Sequence, residues 1–340
     1  MSLQCGKILH VRHKLEFWNF VATRLRNNEA LMLLVVSESN GSSPGRVGFK
    51  MAVTANGELF GSIGGGVMEV ELVEQARAML SGSVPNAAAS LIEQVHRRNA
   101  RHASGMICSG RQTVILKKLT PADLPTVKAI AESFSGDLPY LLIFGPDHFS
   151  AGPDFCGTRR MDSDYRGPIS FERHGDDFNY SEDLNSRQQL FIIGGGHCAL
   201  ALSELASRLN FRITIFDDRP DLNTIAKNEF ADEITIIGSY ENIAGHVPQG
   251  DDIYVVVMTL GYASDAVVIR QLINHDIKYF GVLGSKAKMA TLMKELRNDG
   301  LDAAKLRRIR TPIGLPINSH TPAEIAVSIA AEIISVKNKA

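Results

Sequence analysis

LFIIGGGHCALALSELASRLNFRITIFDD, residues 190–218, decides the fold. An apolar run, Leu190 to Ile193, ends in the turn Gly194-Gly195-Gly196. Leu200, Leu202, Leu205, Ala206 and Leu209 then recur at helical spacing. A second apolar run, Phe211 to Phe216, closes on Asp217 and Asp218. Strand, glycine turn, helix, strand and acid, in that order, predict the first half of a dinucleotide-binding unit. The small residues follow G-x-G-x-x-A, with Gly194 for the tight turn and Gly196 for backbone approach to a pyrophosphate. Ala199 lets the helix lie close on the strand. The helix N-terminus would offer unpaired N–H groups to phosphates. Asp217 follows Gly194 at about the 20-residue distance expected of an acid that binds a ribose hydroxyl.

Outward from this stretch, 340 residues predict two domains. With 44% hydrophobic and 21% charged residues the chain can bury real cores, and a net charge of −1 gives no case for nucleic acid or an anionic membrane. The longest apolar runs, 31–36 and 253–260, are strand-sized and far short of a membrane span. The first residues show no secretory signal. Cys5, Cys108, Cys156 and Cys198 are widely spaced and form no CxxC. That spacing argues against a disulfide scaffold, a structural zinc site or ferredoxin-type iron–sulfur ligation, so no metal site and a cytoplasmic location are expected.

Before residue 190, periodicity predicts a helix over 14–27 with Trp18 as core anchor, and a buried strand over 30–36. The Ser/Gly/Pro-rich segment 37–50 reads as a loop. A hairpin follows, turning at Asn56-Gly57. The glycine-rich run 61–66 leads into a helix over 67–80. Its glycines either relieve crowding in a tight turn or form an anion nest of backbone N–H groups. Strands are expected at 88–97, 112–118 and 139–144, and a helix at 121–134. Cys108, between small residues, is either an inert small hydrophobe or a thiol displayed on a turn. Residues 146–187 are polar and aperiodic, with exposed, uninvolved His148, Cys156 and His174 expected among them. They read as the end of the first domain, a hairpin and a linker. The expected organisation is therefore a domain over 1–150, an irregular linker over 151–187 and a second domain over 188–340.

After residue 218, strands at 233–237, 252–258 and 278–283 alternate with helices at 222–228, 266–274 and 286–297. This predicts a parallel sheet with helices on both faces, ligands binding at the carboxyl ends of its strands. The loops 194–197, 259–265 and 284–286 would share that edge. Gly284, Ser285 and Lys286 suit a phosphate: small residues, then a cation at a helix start. Thr321-Pro322-Ala323-Glu324 is a capping box with Pro at the first helical position. The PIGLPIN segment before it is expected to reach back to the ligand edge. The fold class is α/β: a small α/β N-terminal domain followed by a Rossmann-like doubly wound parallel-sheet domain.

Several separate stretches carry a resemblance: GSSPGRVGFKM (41–51), GSIGGGVMEVE (61–71), FIIGGGHCA (191–199), FRITIFDDRP (211–220), VLGSKAK (282–288) and the closing TPAEIAVSIAAEI. In this order, spanning nearly the whole chain, they resemble the XdhC/CoxI family of xanthine dehydrogenase accessory factors. The resemblance implies a protein that binds the molybdenum cofactor (molybdopterin), protects it while its sulfur ligand is installed, and delivers it to a xanthine dehydrogenase-type molybdoenzyme. A cysteine desulfurase as second partner and a homodimer are expected with it. A maturation factor is thus expected rather than a catalyst. The chain lacks the cysteine sets of a complete xanthine dehydrogenase and is far shorter than one.

On this basis Gly194, Gly196, His197, Gly284, Ser285 and Lys286 would cradle phosphate, with Asp217 and Asp218 toward a ribose. Ser42, Ser43, Arg46, Gly64, Gly65, Gly66 and Glu69 would close over the other end, and Cys108 would face the cluster or the sulfur donor. Two departures stand out: Cys108-Ser109-Gly110 replaces the family's Cys-Gly-Gly, and Thr259-Leu260-Gly261-Tyr262 lacks the histidine of a Thr-His loop. The alternative is an NAD(P)-dependent oxidoreductase using the same loops, with the acid pair favouring NAD over NADP. A third possibility is a pure scaffold between a sulfurase and its target.

Overall fold

The structure is a computed structural model that describes residues 8–83, 88–95, 110–136, 138–153, 168–175 and 177–338, with side chains from residue 13. Cys5, Cys108 and Cys156 lie outside the described residues. The chain divides into two compact units, residues 13–186 and residues 187–340, with residues 8–12 of the first helix grouped with the latter.

The first unit runs α1 (Ile8–Arg26), β1 (Leu31–Gly41), β2 (Lys50–Thr54), β3 (Leu59–Gly61), α2 (Gly66–Leu80), β4 (Ala89–Val95), β5 (Gly110–Leu119), α3 (Leu124–Ser133), β6 (Tyr140–Phe144), β7 (Phe149–Pro153), β8 (Ile169–His174) and β9 (Asp177–Asp183). Among the described residues one antiparallel sheet has the order β3-β2-β1-β5-β4, and a second has the order β7-β6-β9-β8. The central strand β1 is buried on both faces. Met32, Leu34 and Val36 pack with Leu72, Val73 and Ala76 of α2. Leu31, Leu33 and Val35 pack with Trp18, Val21 and Leu25 of α1 and with Phe144 and Tyr180 of the second sheet. This is the period of two that a strand imposes on its side chains.

The described residues of the expected linker are largely strand. In β9 the side chains of Phe178, Tyr180 and Glu182 alternate inward, and all three are buried. The third inward position carries a charge, so the apolar alternation is broken in the sequence. Lys50 on β2 completes it: its Nζ lies 2.5 Å from Glu182 Oε2, and the Tyr180 hydroxyl donates to the same oxygen at 2.8 Å. Burial, with the Glu182 charge beside it, pushes the Tyr180 phenol well up. A buried ion pair of this kind requires such additional hydrogen bonding.

The second unit runs β10 (Gln188–Ile193), α4 (His197–Arg208), β11 (Phe211–Asp217), α5 (Asn223–Ala226), β12 (Glu233–Ile236), β13 (Gly250–Val257), α6 (Tyr262–Leu272), β14 (Ile277–Val282), α7 (Lys286–Asn298), α8 (Ala303–Leu306) and α9 (Pro322–Lys337). Its strands form one parallel sheet in the order β12-β11-β10-β13-β14. Along β10 and β13, alternate residues face opposite layers. Leu190, Ile192, Tyr254 and Val256 pack with α4 and α9, whereas Phe191, Ile193, Val255 and Val257 pack with α6 and α7. This is a doubly wound sheet, and its strand order reverses between β10 and β13, which is where such folds bind ligands.

Two local expectations change here. Helix α6 starts at Tyr262, capped by Gly261, so Asp265 lies in its first turn rather than in a loop. The PIGLPIN segment folds onto α9 instead of reaching the ligand edge. Gly314 N–H donates to Glu332 at 2.9 Å, and Ser328 Oγ to the Leu315 carbonyl at 2.6 Å. The capping box forms as read: Thr321 and Glu324 bond reciprocally at the start of α9.

Candidate functional site

A cleft of about 590 Å³ opens at the reversal point of the parallel sheet. Gly196, His197 and Cys198 line it from the start of α4, Arg219 and Thr224 from beyond β11, and Met258 and Thr259 from the end of β13. The three glycines of the turn do three different jobs. Gly194 sits at φ +108°, and a Cβ there would lie 2.2 Å from the Met258 carbonyl oxygen. Only glycine lets the two strand ends meet this closely. Gly195 is held from both sides: its N–H donates to Asp217 Oδ2 at 2.5 Å, and its carbonyl accepts from Thr224 Oγ1. Gly196 caps α4, and a Cβ built on it meets nothing within 4 Å. Its missing side chain leaves space toward the cleft, as close approach of an anion to a helix N-terminus requires.

Asp217 is fully buried at the end of β11. Besides Gly195 N–H it accepts the Arg219 N–H, Nε and Nη2 at 2.9, 2.9 and 2.8 Å. Burial works against its charge, but the Arg219 guanidinium and the two backbone N–H groups outweigh it and hold the carboxyl below its usual range. With these donors in place Asp217 serves the turn itself rather than a ribose. The cleft-facing charge at this strand end is therefore Arg219, about 30% exposed and also 3.7 Å from Asp218. Asp218 is more open and accepts from the Tyr240 hydroxyl at 3.4 Å. One guanidinium faces two carboxylates here, so the strand end keeps a formal charge of −1, with Asp218 the more open of the two acids.

His197 is exposed at the first position of α4 and lines the cleft. Gly284, Ser285 and Lys286 do not form the wall; from that loop Leu283 does. Gly284 is pressed against Met289, and Ser285 caps α7 by accepting from Lys288 N–H at 3.4 Å. Lys286 stands exposed at the start of that helix. Residues that sequence reasoning missed are Arg219, Thr224 and Cys198. The Asp217–Arg219 spacing after a strand is a signal for the first; the other two carry none. Burial pushes the Cys198 thiol up, so it stays protonated at neutral pH and is a poor nucleophile.

In the first unit the predicted glycine loop is an anion nest that the chain fills itself. Glu69, one turn into α2, turns its carboxylate back on the loop. Its Oε2 accepts from Ser62 Oγ at 2.7 Å and from Ile63 and Gly65 N–H at 2.9 Å each. Glu69 is thus a closing group of the loop rather than a ligand contact. Gly64 (φ +128°) packs on Pro44-Gly45, and Gly110 on Ser42-Ser43, with backbone atoms closer than any Cβ would permit. Gln112 Oε1 ties the bundle by accepting from Ser43 Oγ at 2.7 Å and Gly45 N at 3.2 Å. Ser42 and Arg46 remain exposed at its surface, and Gly66 opens α2. Cys108, expected to face the cluster or the sulfur donor, lies outside the described residues.

An open cleft on a Rossmann-type unit, with a second α/β unit that carries a glycine-rich loop bundle, defines a class of two-unit α/β proteins. The chain belongs to the XdhC and CoxI family: that family's model matches residues 24–87, and the model of the XdhC Rossmann domain matches residues 190–333. It is 26% identical over 309 residues to the uncharacterized protein YqeB of Escherichia coli, covering 90% of this chain but only 43% of that relative. The chain therefore spans less than half the length of this relative. It is 23% identical to a Bacillus subtilis protein described as a probable xanthine dehydrogenase subunit, covering 95% of this chain and 98% of that protein. A solved chain from Bacillus halodurans, described as a xanthine dehydrogenase, shares the fold with a TM-score of 0.62 at 20% identity, over 95% of this chain and 96% of its own. No helix among the described residues is long and apolar enough to cross a membrane.

Proposed function

We propose that this protein is a maturation factor that binds the molybdenum cofactor in the cleft of its second unit and hands it to a xanthine dehydrogenase-type enzyme. The observation that carries the proposal is the pairing of Asp217 with Gly195 and Arg219. It occupies Asp217, one of the two acids offered to a ribose, and sets the Arg219 guanidinium in the lining of the cleft beside the open start of α4. A pterin bearing a phosphate matches that arrangement, with its anion toward Gly196, His197 and Arg219. Family membership and the Bacillus relatives support the same direction. The cofactor is cargo: bound here, it is shielded while a cysteine desulfurase supplies its terminal sulfur. Cytoplasmic action and a homodimer belong to the same proposal.

Purified protein mixed with molybdenum cofactor and passed over a sizing column should retain it in near-stoichiometric amount. No retention by folded protein overturns the proposal. An NAD(P)-dependent oxidoreductase is favoured by one observation, the strand order with its G-x-G-x-x-A turn. Calorimetric titration with NADH and NADPH separates the two. Micromolar binding of either, with turnover of an alcohol or aldehyde, would install the oxidoreductase in its place.

A further inference from the structure

Thr259 and Asp265 form a pair beside the cleft that the proposed cofactor contacts do not use. Capping of α6 by Gly261 places Asp265 in the first turn, 5% exposed, with its carboxylate turned toward the loop after β13. Thr259 Oγ1 donates to Asp265 Oδ1 at 2.6 Å and also lies 3.1 Å from the Gly261 carbonyl. A hydroxyl has one hydrogen and two lone pairs. When Asp265 is ionised the carboxylate takes that hydrogen, because a bond to a charged acceptor is about twice as strong as a neutral one. What Thr259 can then show the cleft it lines is lone pairs.

We propose that Asp265 holds Thr259 as a hydrogen-bond acceptor, so that this corner of the cleft selects an N–H or O–H donor on the neutral ring end of the ligand. The inference rests on the cleft being the cofactor site. It assigns the two ends opposite chemistry: anion at Arg219 and the start of α4, neutral donor at Thr259. A pterin ring, with ring and exocyclic N–H groups, has such donors. Thr259 is the specificity contact and Asp265 a positioning residue.

The pair is sensitive to protons. Burial pushes the Asp265 carboxyl up to about 6, against the pull of the Thr259 hydroxyl, the Thr259 backbone N–H and Lys288. Two elements pack against α6. On α7 are Lys286, Lys288 and Glu295, the last bonded to Tyr262; on the 3₁₀ segment Tyr240–Gly245 are Tyr240, bonded to Asp218, and Glu241. Of these, Lys288 is the charge that reaches Asp265. Once protonated, Asp265 can itself donate to Thr259, and the threonine hydrogen turns to the Gly261 carbonyl 3.1 Å away. Thr259 then offers one free lone pair instead of two, and a ligand donor is held less well.

Two measurements on the full chain test this. In protein carrying ¹³C-carboxyl aspartate, the Asp265 signal is identified by its loss in Asp265→Asn and titrated without ligand. Thr259→Val should raise its midpoint by roughly one pH unit, since a bond to the charged form is removed. An unchanged midpoint overturns the inference. Second, retention of molybdenum cofactor is followed from pH 5 to 8. The parent should weaken about tenfold below pH 6, Asp265→Asn should be flat, and Thr259→Val should retain about tenfold less at pH 7.5, the factor expected for one hydrogen bond. Equal pH profiles in parent and Asp265→Asn, with retention intact, overturn this inference alone. Absence of retention at every pH overturns the cofactor site, and the ligand half of the inference with it.

Discussion

The Asp217 carboxylate accepts the Gly195 N–H at 2.5 Å, joining the end of one strand to the middle of the glycine turn that follows its neighbour. The acid that a dinucleotide site uses for its ligand is here part of the turn's own structure. Arg219 matches its charge with a two-point guanidinium contact. The same device recurs in the first unit, where Glu69 fills the N–H nest of its glycine loop. In both units an acid expected to meet ligand instead holds the loop in shape.

Asp217→Ala should therefore act on stability. It strands the Gly195 N–H and leaves Arg219 only its 3.7 Å contact with Asp218, a loss expected to cost about 2–4 kcal/mol. Urea unfolding of the full chain at pH 7 measures it. Because the folded carboxyl titrates below its unfolded value, its contribution is present above about pH 4 and is lost as pH falls through the depressed folded value. A variant as stable as the parent at neutral pH would contradict this account.

Gly194 and Gly196 should separate fold from binding. Gly194→Ala sets a Cβ 2.2 Å from the Met258 carbonyl at a φ of +108°. Loss of several kcal/mol or failure to fold is expected, by combined clash and strain. Gly196→Ala meets nothing within 4 Å, and its φ of −72° suits any residue. Its melting temperature should stay within a degree or two of the parent while cofactor retention drops. Retention unchanged in a folded Gly196→Ala protein would argue against ligand approach at this turn.

Glu69→Ala should loosen the first unit, because three donors lose their acceptor together. Each buried or half-buried donor left unmet costs about 1–3 kcal/mol, less where water can replace the carboxylate. Glu69→Gln keeps one acceptor oxygen and should recover part of the loss. Hydrogen exchange at Ile63 and Gly65 reads the effect locally; protection equal to the parent in Glu69→Ala would refute the nest-filling role.

Asp265→Asn should change stability in a pH-dependent direction. The parent carboxyl titrates near 6 when folded and near 4 when unfolded, so the fold binds that proton more tightly. The proton's contribution is fully present below about pH 4 and is lost as pH rises through 6. The variant should accordingly be the more stable at pH 8, by up to about 3 kcal/mol, and the gap should narrow toward pH 4. A difference independent of pH would remove the basis for a strained, buried carboxyl at this position.

Much of the fold was legible along the chain. The parallel sheet follows from apolar runs of strand length alternating with helical periods, and the turn at Gly194 from its spacing to Ala199 and Asp217. The Thr321–Glu324 capping box is a local bond between near neighbours, so it forms where it is read. The strand β9 was not legible. Its third inward position is Glu182, which becomes a core residue only when Lys50 arrives from β2 to join Tyr180 on its carboxylate.

By itself, then, the sequence determined the two-unit α/β architecture, the position of the glycine loops and the family. Tertiary structure decided what the charged residues of the site do. Asp217, Glu69 and Asp265 are all acids near glycine loops, and nothing in the order of residues distinguishes an acid that waits for ligand from one already bonded. That depends on which N–H, hydroxyl or guanidinium the fold brings within about 3 Å, the range over which a hydrogen bond holds. Arg219 satisfies Asp217, the loop backbone satisfies Glu69, and Thr259 shares its single hydrogen with Asp265.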